Sequence, residues 1–67
     1  MVTAAIVAST RIDANTVIET VQLGPILYAT FQIVGDSQYL LEQYTIREDA
    51  EKGNAHWVEE LAGFEYP

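Results

Sequence analysis

The 67-residue sequence lacks cysteine, has only three Lys and Arg side chains, and has no apolar run long enough to cross a membrane. The missing thiols exclude disulfides and a Cys-ligated zinc site. The few cations, set against ten Asp and Glu, give a formal charge of −7. That charge argues against direct nucleic-acid binding, because phosphate recognition needs positive side chains. The N-terminal segment also lacks the basic start of a secretory signal.

The length predicts a single small domain over residues 1–67. A chain this short buries only about 60% of the surface that its unfolded form exposes. Its own core therefore stabilises it only marginally, and we expect a protein partner or self-association.

Four segments have the composition and alternation of β-strands, at about 2–12, 17–23, 26–34 and 38–44. Turn-forming residues separate them: Asp13-Ala14-Asn15, Gly24-Pro25 and Gly35-Asp36-Ser37. The third segment alternates most clearly, with an apolar set and a polar set: Leu27, Ala29, Phe31 and Ile33 against Tyr28, Thr30 and Gln32. Short turns between consecutive strands favour antiparallel pairing.

The period then becomes helical over about 46–62. Thr45 and Glu48 have the spacing of a capping box. One apolar stripe follows: Ile46, Ala50, Gly53, Trp57 and Leu61. Gly63 suits the residue that ends a helix. Glycine in mid-helix indicates either close approach of the helix to the sheet or room for a partner, and we favour close approach.

One amphipathic helix can cover only one face of a sheet. The sequence therefore predicts an α+β fold: an antiparallel β-meander of three to four strands with one C-terminal α-helix packed on one face. The polar set of the third strand, Tyr28, Thr30 and Gln32, is expected on the open face. There it would form a docking surface, with Tyr39 or Tyr44 nearby.

Residues that could carry catalysis are few. His56 is the only histidine, and Glu59 and Glu60 follow it at helical spacing, which is a possible metal-binding arrangement. A surface histidine beside solvated acids explains the same pattern, and we favour it. A serine nucleophile would need His56 in a pocket that excludes water, which one sheet and one helix do not easily build. We predict no catalytic, cofactor-binding or metal-binding residues, no cofactor and no enzyme activity.

The negative charge is concentrated in the second half of the chain. Residues 1–33 carry a net charge of −1 and residues 34–67 a net charge of −6. Glu59 and Glu60 fall in the last turns of the predicted helix, where the backbone carbonyls already create a negative potential, and Glu65 follows. This excess could serve solubility alone, or it could form an acidic patch that binds a basic protein surface and mimics a polyanion. Trp57 is interpreted as a core residue more readily than as an interface anchor.

The stretch from Glu19 to Leu61 resembles a class of very short proteins encoded by tailed bacteriophages. That class has a strand beginning near a Glu-Thr pair, a return strand, and a helix of the form T-x-x-x-[DE]-A-x-x-G-[HN]-x-x-[VW]. The matching positions here are Thr45, Asp49, Ala50, Gly53, Asn54 and Trp57. The resemblance implies a viral accessory or virion-associated role and assigns no functional residues.

We therefore expect a non-enzymatic, acidic, phage-type accessory protein that binds and modulates a protein partner, as an inhibitor or polyanion mimic. The candidate contact residues are Glu59, Glu60, Glu65, Tyr28, Thr30 and Gln32. The alternative is a small structural or virion-associated subunit held by self-association or strand addition. The expected partner has a basic surface, homo-oligomers are compatible with the sequence, and neither nucleic acid nor membrane is expected as a direct partner. The expected location is the cytoplasm, of the host cell if the protein is viral, or the virion.

Overall fold

The computed structural model describes residues 5–62, which form four strands followed by one helix. The elements are β1 (Ala5–Asp13), β2 (Thr16–Gly24), β3 (Leu27–Val34), β4 (Ser37–Tyr44) and α1 (Arg47–Ala62). The strands make one sheet in the order β1-β2-β3-β4, and every neighbouring pair is antiparallel. The predicted α+β meander with a C-terminal helix against the sheet is confirmed. Within residues 5–62 no helix has the length and apolar character to span a bilayer.

Two turns at the same end of the sheet support each other. The Asp13 carboxylate accepts a hydrogen bond of 2.8 Å from the Asn15 backbone N–H, which closes the β1–β2 turn. The β3–β4 turn contains Gly35 with a φ of 59°, a left-handed conformation that favours glycine. The Gly35 N–H donates to the Asn15 carbonyl over 3.0 Å and so links the two turns. The turn residues of the sequence therefore set the ends of the strands.

The strand register sorts the side chains into two faces. Directly paired residues share a face, and successive residues alternate. The face beneath α1 carries mostly polar residues: Thr10, Asp13, Thr16, Thr20, Gln22, Tyr28, Thr30, Gln32, Ser37, Tyr39, Glu42 and Tyr44, with Ala5, Ala8, Ile18 and Val34. The opposite face is called the open face below. It carries Ile6, Val17, Val21, Leu23, Leu27, Ala29, Phe31, Ile33 and Leu40, with Ser9, Arg11, Glu19, Gln38 and Gln43.

The prediction that Tyr28, Thr30 and Gln32 lie on the open face is wrong. Thr30 is 0% exposed and Tyr28 is 7% exposed, both on the face that α1 covers, and Gln32 is half-buried there. The reason lies in the helix, whose buried residues are Ala50, Gly53 and Asn54. These residues are small, and one of them, Asn54, is polar. This surface approaches the sheet closely and needs hydrogen-bond partners there, so it fits hydroxyl groups better than large apolar side chains.

The helix begins one residue later than the sequence pattern predicts, at Arg47, and the Ile46 carbonyl accepts a 3.1 Å hydrogen bond from the Ala50 N–H. Among the hydrogen bonds of residues 5–62, none joins the predicted capping pair, Thr45 and Glu48. Glu48 instead lies 3.6 Å from Lys52. Of the predicted stripe, Ala50 and Gly53 are buried, Trp57 and Leu61 are half-buried, and Ile46 is 56% exposed. The predicted helix end at Gly63 is outside the described residues.

Candidate functional site

The helix is joined to the sheet by a chain of buried hydrogen bonds. The Thr20 hydroxyl donates to the Asn54 side-chain carbonyl over 2.9 Å. The Thr20 and Thr30 hydroxyl oxygens are 2.6 Å apart, and the Thr30 hydroxyl is 3.1 Å from the Tyr44 hydroxyl. Within residues 5–62 every buried side-chain nitrogen or oxygen has a hydrogen-bond partner. This network is therefore a complete structural contact rather than a set of polar groups awaiting a ligand.

The network reaches the surface at Glu42. Its Oε1 atom accepts hydrogen bonds from the Tyr44 hydroxyl at 3.2 Å and from the Trp57 indole N–H at 2.9 Å. Burial raises the pKa of Tyr44, the hydrogen bond with Thr30 opposes that rise, and the negative charge of Glu42 adds to it. The two donors hold the Glu42 carboxylate in one position beside the helix.

An open cleft of about 380 Å³ lies where β4 meets α1. It is lined by Glu42, Tyr44, Asp49, Lys52, Gly53 and His56. At this cleft Gly53 lies against the Tyr44 side chain, and a Cβ atom at position 53 would fall on the Tyr44 hydroxyl. The structure therefore agrees with the interpretation of Gly53 as a point of close approach. Within residues 5–62 no group of three His, Cys, Asp or Glu side chains is placed to hold a metal ion.

Carboxylates continue from the cleft along the helix. Asp49 and Glu60 are eleven residues apart, which is three helical turns, so they lie on one side of α1 about 16 Å apart. His56 lies between them on the same side, is exposed, and meets the Trp57 ring edge-on at 5.3 Å between centroids. Glu59 is exposed and precedes Glu60 in the chain, about 100° away around the helix. We call Glu42, Asp49, Glu59 and Glu60 the acidic line.

The cations of α1 form their ion pairs with other acids, although Lys52 lies at the cleft beside Glu42 and Asp49. Arg47 pairs with Glu51 at 3.1 Å, and Lys52 pairs with Glu48 at 3.6 Å. Both pairs are solvent-exposed and join residues one turn apart on the helix itself. Within residues 5–62 neither Asp49 nor the acids of the last helical turns have a cationic partner.

The contact residues predicted from the sequence do not lie on one surface. Glu59 and Glu60 are exposed on the helix, as a contact surface requires. Tyr28 and Thr30 are buried beneath α1, and Gln32 is half-buried on the same face. Glu65 lies outside the described residues.

Sequence reasoning missed Glu42 and Asp49 as acids that line one cleft. Their common position depends on how β4 packs against α1, which no periodicity within either element reports. It also missed Asn54 as a core residue. The available signal was its position four residues after Ala50, on the side of the helix that faces the sheet.

Comparison of the chain with protein-family models, curated proteins and solved structures gave no match. The interpretation of the site therefore rests on its geometry and charge.

Proposed function

We propose that this chain is a non-enzymatic accessory protein that binds and modulates a basic protein partner through the acidic line and the adjoining cleft. The observation that carries the proposal is the pairing pattern on α1. The two cations of the helix pair with Glu48 and Glu51, while the carboxylates of the acidic line are exposed and have no ion-pair partner among residues 5–62. Lys52 also lies at the cleft, where its recorded ion pair is with Glu48. The viral role that the phage resemblance implies is part of this proposal.

The geometry suits arginine or lysine side chains of a partner. Glu42 and Asp49 both line the cleft, and the Glu42 carboxylate is already oriented by Tyr44 and Trp57. A guanidinium group seated between two carboxylates would make charge-assisted hydrogen bonds. A carboxylate that is already oriented loses less side-chain freedom on binding.

The acids at the far end of the line would act at longer range. Asp49 and Glu60 are about 16 Å apart along the helix, so their side presents negative groups at intervals, as a polyanion does. Such a row increases the rate of association with a positive surface and helps to select the partner, more than it adds affinity. Inhibition would follow if the bound surface is one that the partner uses for another anion.

The test measures binding of a fluorescein-labelled arginine-rich peptide by anisotropy at low salt. We expect Glu59→Gln/Glu60→Gln to weaken binding several-fold, because each surface charge contributes roughly 0.5 kcal/mol to attraction. The salt dependence of binding should also become shallower, because fewer charges take part.

The matched control is Asp36→Asn/Glu51→Gln, which changes the net charge by the same two units. Asp36 lies in the β3–β4 turn, at the far end of β4 from α1, and Glu51 is held by Arg47. We expect this variant to bind nearly as the parent does. Equal losses in both variants would mean that only total charge matters, and no loss in either would refute the acidic line as the contact. A binding-competent chain and its Glu59→Gln/Glu60→Gln variant would then serve as paired baits to identify the partner.

A further inference from the structure

The open face of the sheet is mostly apolar, whereas the face that α1 covers is mostly polar. Four large aliphatic side chains are exposed around it: Ile6 at 62%, Leu23 at 40%, Leu27 at 38% and Leu40 at 54%. The centre is better shielded, with Val21 at 7% and Ala29 at 0% exposed. Among residues 5–62, no helix lies on this face as α1 lies on the other. We infer that two copies of this chain pack open face to open face and form a dimer with α1 on each outer side.

The charge of the open face fits a second copy. Arg11 and Glu19 are its charged residues within the described strands, so the face carries no net charge on a chain whose formal charge is −7. A basic partner would gain nothing from electrostatic attraction at such a face. Two identical neutral, apolar faces can meet without bringing net like charge together at the contact. The strongly negative side of the molecule, on α1, would point away from the interface.

The area of the open face is also compatible with a dimer interface. Four strands about 4.8 Å apart, each about eight residues long at about 3.3 Å per residue, present roughly 500 Å² per copy. Two copies would bury about 1,000 Å² in total, which is at the lower limit for a specific interface. Two sheets packed face to face at about 10 Å also complete a layered core that a single sheet and helix leave unfinished. An interface at this limit is expected to be weak, so dimerisation should depend on protein concentration.

This inference goes beyond the proposed function and does not depend on it. The two respond oppositely to salt. Binding of a basic partner weakens as salt rises, because salt screens attraction. Dimerisation strengthens, because salt screens the repulsion between two chains of charge −7 while burial of apolar surface remains favourable.

The test uses sedimentation equilibrium of the full chain from a few micromolar to about 500 µM, a range wide enough to detect a weak dimer, at about 0.05 M and about 0.5 M NaCl. The parent should move from 7.5 kDa towards twice that mass. The Leu40→Lys variant should stay at the monomer mass, or its dissociation constant should be at least tenfold higher than that of the parent. The reason is that each of the two copies would place a charged side chain in the apolar contact. That variant lowers the magnitude of the net charge, so added repulsion cannot explain a loss.

Tyr39→Lys is the matched control. Tyr39 is the neighbouring residue on β4 and is 53% exposed, against 54% for Leu40. It pairs with Gln32 and therefore lies on the face beneath α1, not on the open face. That variant should dimerise as the parent does. A parent that stays monomeric at both salt concentrations would overturn the inference, as would equal losses in the two lysine variants. Those results would leave the peptide-binding outcome for the acidic line unchanged.

Discussion

Replacing Gly53 with alanine should destabilise the protein, although alanine is the better helix former. Gly53 is buried in the middle of α1, and an added Cβ atom would fall on the hydroxyl end of Tyr44. Tyr44 cannot simply swing away, because its hydroxyl is hydrogen-bonded to Thr30 and donates to Glu42. The helix would have to lift from the sheet or the tyrosine would have to leave the network.

The opposing contributions can be compared. In an exposed helix, Gly→Ala stabilises by about 1 kcal/mol. Forcing a methyl group into a packed contact costs about 2 kcal/mol, and loss of one neutral hydrogen bond costs about 1 kcal/mol. The net expectation is a decrease of about 2 kcal/mol in the free energy of unfolding. For a domain of this size that lowers the melting temperature by roughly 8 to 16 °C.

The assay is urea denaturation followed by circular dichroism, with thermal melting as a second measure. Ala55→Gly provides the control, because Ala55 is exposed on the same helix, two residues away. It should cost about 1 kcal/mol, which is the intrinsic difference between the two residues in this helix. Both proteins should be compared at one concentration, so that self-association affects them equally.

The result that refutes the reasoning is a Gly53→Ala protein more stable than the parent by the amount that Ala55→Gly loses. Such a result would mean that position 53 behaves as an exposed helical site. The helix would then not lie against Tyr44, and the cleft between β4 and α1 would be wider than the structure has it.

Two further predictions concern the same interface. Asn54→Ala should lower the free energy of unfolding by about 2 to 3 kcal/mol in urea denaturation, since it removes the acceptor of the buried Thr20 hydroxyl and leaves a void. Thr10→Val should cost less than about 1 kcal/mol, because its contact with Asn54 is a long 3.5 Å and half-exposed, and equal costs would contradict the assignment. Because burial raises the pKa of Tyr44, the stability it contributes should be complete below pH 10.0, its ordinary value, and should be lost as the pH rises through the raised pKa. Melting curves between about pH 8 and pH 11 should show a shallower alkaline decline for Tyr44→Phe than for the parent, and parallel declines would count against this role of the tyrosine.

Much of the fold could be predicted from the sequence, because its signals are local. The alternation within each strand, and turns such as that at Gly35, depend on neighbouring residues only. The change of period after Tyr44 identifies the helix to within one residue at its start. These patterns establish which elements form and, since the turns are short, that consecutive strands are neighbours.

The face that the helix covers could not be predicted from the strands. Strand β3 alternates cleanly, so it offers one apolar and one polar face, and hydrophobicity alone selects the apolar face for the helix. The decisive information is in α1, where the buried residues are small and one of them, Asn54, is polar. Choosing correctly required matching Asn54 to a hydroxyl partner such as Thr20, thirty-four residues earlier in the chain. A contact at that separation leaves no periodic signal.

The candidate site likewise contains one residue that could be proposed from the sequence and one that could not. Glu59 could be proposed from sequence, because acids near a helix C-terminus are electrostatically unfavourable and therefore need an explanation. Glu42 could not, since it is a single acid on a strand and becomes part of the acidic line only through the bend between β4 and α1.

The helix–sheet contact also bears on why two copies would be needed. Each neutral hydrogen bond contributes only about 0.5 to 1.5 kcal/mol net, whereas burial of a large aliphatic side chain contributes about 1.5 to 3 kcal/mol. A fold that places its hydroxyl groups beneath the helix leaves Leu27, Leu40 and similar side chains to be covered from the other side. A dimer joined by the open faces supplies that cover and keeps α1, with both acidic lines, on its outer surfaces. Two such sites on one particle could bind a repetitive or symmetric basic partner at once, which raises the apparent affinity without any new contact.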